Sequence, residues 1–184
     1  MLTPRQTKSH QKIKEIMENA INKQNVDLFN FSKKLARIIK NKISTQKFCL
    51  FIYNPQIKKY TITLSTINKQ IEILSTEYCV SVLKRENKIF LANKIPLFKK
   101  RVEGEEEKEH LTKVENKLQE LNMELVIPLV AYEELVAIFF LGSKRNNKIY
   151  TTKDITFLTE LADKASFCIW NMLVYKHALE RLLQ

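Results

Sequence analysis

Cysteines and histidines are the side chains in this sequence with the most obvious reactive chemistry. Cys49, Cys79 and Cys168 lie far apart and form no Cys-x-x-Cys motif. A reactive thiolate needs a polar or electropositive setting. Cys49 lies in an all-apolar run, Cys79 on a predicted apolar helix face, and Cys168 is predicted to face the core side of the last helix. We interpret all three as core residues, and their pattern as typical of a reducing, cytoplasmic compartment.

Metal and phosphate chemistry is not indicated either. His10, His110 and His177 lie in separate segments, and none has a second histidine or a cysteine at helical spacing. We therefore predict no metal site, and we interpret His177 as a solvated or interface residue. With 2 glycines, the chain has no glycine-rich phosphate loop. Because no nucleophile and base can be paired, the sequence predicts a protein that is not an enzyme.

Charge is unevenly distributed along the chain. The net charge is +11; residues 1–101 hold 21 basic and 6 acidic side chains, and residues 102–184 hold 10 and 14. A basic half could attract nucleic acid, but the lysines are scattered, so a solvated surface is the preferred interpretation and nucleic acid is not an expected partner. A hydrophobic fraction of 45% supports a packed core. No apolar run approaches the roughly 20 residues of a membrane span.

Hydrophobic periodicity predicts an α+β fold, with an antiparallel sheet and helices at both ends of the chain. An apolar hairpin, residues 125–144 with the sequence LVIPLVAYEELVAIFFLGSK, is the clearest element. Its turn, Ala131 to Glu134, predicts a four-residue type I loop, and Pro128 an edge position or a bulge. The other predicted elements are helices at 6–22, 25–42, 75–87 (capped by Ser75 or Thr76) and 105–122, strands at 47–54, 58–65, 70–74 and 88–92, and a loop at 93–104.

The last helix has a clear beginning. Thr151 and Asp154 form a capping box, and Tyr150 with Ile155 can form a hydrophobic staple. From there, apolar residues continue at alternating three- and four-residue spacing, which predicts an interchain seam over a helix of about 30 residues. Because the helix reaches Gln184 without a C-cap, we expect it to continue into an effector. The seam consists of Ile155, Leu158, Ala162, Ala165, Ile169, Met172, Lys176, Leu179 and Leu183.

Several of these patterns together resemble the GAF domain of bacterial sensory proteins. The resemblance rests on the hydrophobic-proline strand Leu125–Leu129, the strand ending at Gly142, the helix start Tyr150–Asp154, and Asn171 with Tyr175 downstream. It is good over 124–177, weaker over 26–101 and absent over 1–22. Motifs that mark cyclic-nucleotide or bilin binding in the family do not match here, so no cofactor can be named.

The resemblance implies a six-strand-type sheet, with terminal helices on one face and short helices and loops closing a small-molecule pocket on the other. It implies a homodimer that signals to a histidine kinase, cyclase, phosphatase or transcription factor. The predicted organisation is an N-terminal helical arm over 1–24, a GAF-like domain over 25–175, and a long signalling helix over 152–184.

The predicted function is a non-catalytic sensory domain for a small molecule or a partner. The alternative is a ligand-free dimerisation or protein-interaction module. The predicted pocket residues are Leu50, Ile52, Phe90, Ile127 and Phe139. The predicted dimer interface consists of Ile13, Ile16, Ala20, Ile169, Met172, Leu179 and Leu183.

Overall fold

The computed structural model describes residues 28–68 and 71–182. The predicted helix at 6–22 lies outside these ranges. So do four of the predicted interface residues: Ile13, Ile16, Ala20 and Leu183. Within the described ranges the chain is an α+β protein, as the sequence predicts, with six strands in one sheet.

The sheet is antiparallel throughout, in the order β3-β2-β1-β6-β5-β4. β1 and β6, which are adjacent at the centre, carry the longest apolar runs, as expected for strands covered on both faces. The strands are β1 Phe48–Asn54, β2 Lys59–Ser65, β3 Glu72–Leu74, β4 Phe90–Leu91, β5 Leu125–Ala131 and β6 Glu134–Leu141.

Helices cover both faces of the sheet. Residues 28–43 are helical (α1), and α5, Thr152–Leu182, packs on the same face. The opposite face is covered by α2, Tyr78–Glu86, and α4, Glu105–Leu121. A shorter helix, α3, Ile95–Arg101, contacts α4. The terminal helices thus share one face, in agreement with the sequence-based expectation.

Alternation along β1 divides the core into two layers. Leu50 and Ile52 join the cluster under α1 and α5, whereas Cys49 and Phe51 join the cluster under α2 and α4. Successive strand side chains point to opposite faces, so one continuous apolar run supplies both layers. All four side chains are at most 4% exposed, and neither layer is open to solvent at β1.

Two local predictions are wrong. Residues 93–104 are not all loop: a 3-10 turn over Ala92–Lys94 leads into α3, where Pro96 occupies the first turn. A proline is tolerated there because the backbone N–H groups of the first turn have no intrahelical partner, so the N–H that proline lacks costs no hydrogen bond. The cap of α2 is Glu77 and not Ser75 or Thr76, and the Glu77 carboxylate accepts a hydrogen bond from the Leu74 amide at 2.9 Å.

The turn of the β5–β6 hairpin also differs from the prediction. Ala131 pairs with Glu134, so only Tyr132 and Glu133 form the loop, and their φ angles are 49° and 63°. Two consecutive positive φ values match a type I′ turn, whose twist fits antiparallel strands. Pro128 lies where β5 pairs only with β6, because β4 reaches no further than Val126. Its edge-like position is therefore as expected.

The start of α5 follows the predicted capping box. The Asp154 carboxylate accepts hydrogen bonds from the Thr151 amide and hydroxyl at 2.7 and 2.9 Å. Burial opposes the ionised form of Asp154, but the hydrogen bonds from Lys144 and Thr151 outweigh it and lower its pKa. Further along, Leu158, Ala165 and Ile169 are buried against the sheet of the same chain. The first part of the predicted seam therefore belongs to the domain's own core.

Candidate ligand-binding cleft

The second half of α5 lies beside a cleft at one end of the sheet. After Ile169, the one buried residue of α5 in its described range is Leu179, so close packing on the sheet largely ends at Ile169. Beyond that point a cleft of about 490 Å³ opens between α5, the β1–β2 hairpin, α2 and the start of β6. Its lining consists of Tyr53, Pro55, Tyr60, Ser75, Val80, Lys84, Glu134, Leu135, Val136, Trp170, Leu173, Val174 and His177.

Two tyrosines form the wall that belongs to the β1–β2 hairpin. The rings of Tyr53 and Tyr60 lie 5.1 Å apart, and the Tyr60 hydroxyl donates a hydrogen bond to the Leu135 carbonyl at 2.8 Å. Burial raises the pKa of Tyr60, which therefore remains an uncharged phenol. The hydrogen bond links Tyr60 on β2 to Leu135 on β6, so the hydroxyl proton is not available to a ligand.

The rim of the cleft carries one ion pair. The Lys84 ammonium on α2 lies 2.9 Å from the Glu134 carboxylate at the start of β6. Both side chains are about half exposed, so the pair contributes roughly 0–1 kcal/mol to stability. Its consequence for the cleft is that the positive and negative charges cancel locally.

A smaller recess of about 160 Å³ adjoins the cleft and shares Tyr53, Leu173 and His177 with it. At this recess the Gln56 side-chain amide donates a hydrogen bond to Glu180 at 3.0 Å, which links the hairpin tip to α5. Nδ1 of His177 is buried and has no hydrogen-bond partner among the described residues. His177 is half-buried and lines both the recess and the cleft, and its interpretation as a solvated or interface residue stays a prediction.

Exposed aromatic side chains extend the cleft along the surface. Tyr132, at the tip of the β5–β6 hairpin, lies 5.6 Å from both Phe167 and Trp170 on α5, measured between ring centroids. Tyr132 is 66% exposed and Phe167 48%. Because Trp170 is the one tryptophan of the chain, its fluorescence is an internal reporter of this region.

The five predicted pocket residues do not lie in the cleft. Leu50, Ile52, Ile127 and Phe139 face the layer under α1 and α5, whereas Phe90 faces the opposite layer. A gap of only about 10 Å³ borders Ile127 and Phe139, which is too small for more than a single water. The structure therefore brings four of the five together in a packed core layer, and one of these, Ile52, also borders the recess beside the cleft. Contact of the five residues with a ligand stays a prediction.

The predicted interface residues of α5 also have distinct positions. Ile169 is fully buried within its own chain, Met172 is partly buried, and Leu179 is 9% exposed. The exposed apolar side chains of this half of α5 are instead Phe167, Val174, Tyr175 and Leu182. Of these, Val174 lines the cleft and Phe167 contacts Tyr132 at the tip of the β5–β6 hairpin.

The cysteines occupy two kinds of environment. Burial raises the pKa of the Cys49 thiol to about 11 and that of Cys79 to about 12, so both remain protonated near neutral pH. Cys168 is exposed, which corrects the expectation that it faces the core. The prediction placed the buried face of α5 one residue too early, because Ile169, and not Cys168, is buried against the sheet.

Metal binding finds no support in the part of the chain that the structure covers. No group of three or more His, Cys, Asp or Glu side chains in residues 28–68 and 71–182 is arranged to hold a metal ion. No helix in those same ranges is long and apolar enough to cross a membrane.

Comparison with known proteins identifies the fold. Neither a protein-family model nor a curated protein sequence matches the chain. Among solved structures, it is similar to the GAF domain/HD domain protein from Geobacter sulfurreducens, with a TM-score of 0.58 at 13% identity over 80% of this chain and 95% of that one.

Two further structures are similar to this chain. The GAF domain of a two-component sensor histidine kinase from Bacillus halodurans gives a TM-score of 0.52 at 13% identity, over 79% of this chain and 95% of that one. The blue-light absorbing PixJ GAF domain from Thermosynechococcus elongatus gives 0.56 at 15% identity, over 86% and 94%. The chain has a GAF-like fold, as the resemblance in its second half implies.

Proposed function

We propose that this chain is a sensory domain that binds a small molecule in the cleft beside α5 and relays its occupancy along that helix. The observation that carries the proposal is the double role of α5. Its first half packs on the sheet through Leu158 and Ile169, and its second half lines the cleft with Trp170, Val174 and His177. A ligand held there would contact sheet and helix at once.

The relay follows from the continuity of α5. The helix runs over 31 residues and contains neither glycine nor proline. A shift of residues 170–177 against the hairpins would therefore reach Leu182 without being absorbed by a kink. A ligand moves such an equilibrium only by binding one arrangement more tightly than the other.

The proposed partners are a second copy of the chain and an effector, and they are inferred from α5 and from the similar proteins. We propose a homodimer in the cytoplasm whose α5 helices face each other through exposed side chains such as Tyr175 and Leu182. The similar GAF domains include one from a two-component sensor histidine kinase. An effector of this kind, or a cyclase, phosphatase or transcription factor, would receive the signal. The domain itself would not be catalytic.

A ligand-free interaction module is the second candidate, and packing on the other sheet face favours it. Phe51, Phe90 and Phe140 are at most 1% exposed there, and the rings of Phe51 and Phe140 lie 5.7 Å apart. A ligand between the sheet and α4 would have to displace these side chains. In that case the cleft beside α5 would be part of a protein contact.

Native mass spectrometry of the purified full chain tests the proposal. We expect a dimer that carries an additional non-covalent mass, and we expect this mass to disappear in Val174→Phe, which narrows the cleft from its exposed rim. Ala178→Phe is the matched control, because Ala178 is exposed one turn further along α5 and does not line the cleft. A bound mass that survives Val174→Phe would place the ligand elsewhere, and a protein without bound mass would favour the interaction module.

A further inference from the structure

We propose that the ligand of the cleft beside α5 is a neutral, largely apolar ring compound and not a nucleotide or another anion. This inference rests on the proposed function, since it names the class of molecule that the same cleft would hold. It depends on the charge, the aromatic content and the hydrogen-bonding capacity of the lining.

The lining has no net charge when histidine is counted as neutral. Lys84 and Glu134 are its charged side chains, and they are paired with each other at 2.9 Å. An anionic ligand would have to compete with Glu134 for the one cation. Burying an unpaired charge in an apolar site costs far more than burying an apolar ring, so the cleft selects against phosphate, sulfonate and carboxylate groups.

A neighbouring groove shows what an anion-attracting surface of this chain looks like. The groove between α1 and α5 is lined by Lys33, Lys34 and Arg37 from α1 and by Asn171 and Tyr175 from α5. Among residues 28–68 and 71–182, no acidic side chain lines this groove and no ion pair involves its three cations. The cleft differs from it in lacking any surplus of positive charge.

Aromatic and aliphatic side chains supply most of the cleft wall. Tyr53 and Tyr60 come from the β1–β2 hairpin, Trp170 and Leu173 from α5, and Val136 from β6. Aromatic walls favour flat rings because ring pairs attract in stacked and edge-to-face arrangements. A space of about 490 Å³ is within the size range of small-molecule pockets.

Few polar groups remain for a ligand to use. The Tyr60 hydroxyl is already bonded to the Leu135 carbonyl. The neutral lining side chains with hydrogen-bonding groups that no other described residue occupies are Ser75, Tyr53, His177 and Trp170. A ligand with one or two hydroxyl, amide or carbonyl groups would match them. One with many polar groups would leave several unpaired and bind poorly.

Two fluorescent probes that differ in a single charged group test the inference. N-phenylnaphthylamine is neutral, and anilinonaphthalenesulfonate adds a sulfonate to a similar ring system. Titration of the full chain, followed by probe emission and by quenching of Trp170, gives both dissociation constants. Because the sulfonate must lose its hydration, we expect the neutral probe to bind about tenfold more tightly, and we expect Val174→Phe to weaken it at least tenfold while Ala178→Phe does not.

A variant that changes one charge distinguishes binding in the cleft from nonspecific adsorption of the probe to the protein. Glu134→Gln leaves Lys84 without its partner at the rim and should improve binding of the sulfonate probe several-fold without changing that of the neutral probe. Glu72→Gln is the control, because it removes the partner of Lys59 in an ion pair that does not line the cleft.

Three results would overturn the inference. The sulfonate probe could bind the unmodified chain as tightly as the neutral one, Val174→Phe could leave neutral-probe binding intact, or the neutral probe could fail to bind at all. Native mass spectrometry separates these failures from that of the proposed function. A bound mass that is lost in Val174→Phe but proves to be anionic would retain the sensor and refute the ligand class.

Discussion

Replacing Ile169 by alanine asks whether the predicted seam of α5 serves its own domain or a second chain. Ile169 is 0% exposed and belongs to the core layer under α1 and α5. The substitution removes three buried carbon groups, which at about 0.8 kcal/mol each amounts to about 2.4 kcal/mol. A residual cavity of about 50 Å³ would add about 1.2 kcal/mol, and the better helix propensity of alanine would return about 0.4 kcal/mol.

We therefore expect Ile169→Ala to lower the free energy of unfolding by about 3 kcal/mol, within the range of about 2–5 kcal/mol for such core substitutions. Ile38→Ala on α1 is the matched control, because the same atoms are removed from a side chain that is 47% exposed. Its effect should stay within about 0.5 kcal/mol. Urea denaturation followed by circular dichroism measures both, at two protein concentrations.

Concentration is the decisive variable in this experiment. A loss in the chain's own core is the same at both protein concentrations, whereas a loss at an interface between chains shrinks as mass action restores the dimer. A loss below about 1 kcal/mol, or one that concentration reverses, would refute the assignment of Ile169 to the core of its own chain.

Two further predictions concern the ends of β6 and α5. Gly142→Ala should lower the free energy of unfolding by about 1–3 kcal/mol, because the new Cβ would lie 2.8 Å from Cβ of Lys47, which cannot move without its backbone. Gly104→Ala is the control, because its nearest contact would be 3.9 Å away. Equal decreases in melting temperature for the two variants would contradict the steric argument. Asp154→Asn should cost about 1 kcal/mol at neutral pH. Because the pKa of Asp154 is lowered in the folded state, its contribution to stability is present above the unfolded-state pKa and is lost as the pH falls through the folded-state pKa. The unfolding free energies of wild type and variant should therefore converge in acid. A difference that does not change with pH would exclude the ion pair between Asp154 and Lys144 as its source.

Local patterns predicted the elements that depend on local physics. The inward face of α4, with Leu111, Val114, Leu118 and Leu121, is as the periodicity indicates. The capping box at Thr151 is equally local, because its atoms lie within four residues. The turn at Tyr132 and Glu133 was missed because neither residue is the asparagine or glycine that normally marks two positive φ angles.

The cleft was not predictable in the same way, because distant parts of the chain form it. Gln56 and Glu180 are 124 positions apart yet share a hydrogen bond at its edge. The apolar strands looked like pocket walls, but their side chains fill the two core layers. A tyrosine in a hairpin and a tryptophan in a helix carry no signal of their proximity until the tertiary fold brings them together.

The energy needed for signalling is within reach of a ligand in this cleft. Moving a two-state equilibrium from 1:99 to 99:1 requires a differential affinity of about 5.5 kcal/mol. A ligand that buries on the order of 100 Å² of apolar cleft wall, together with a similar area of its own apolar surface, in one arrangement but not in the other would supply about 5 kcal/mol at about 25 cal/mol per Å². Because Ile169 holds α5 on the sheet just before the cleft begins, the helix beyond it is the part that this energy can move.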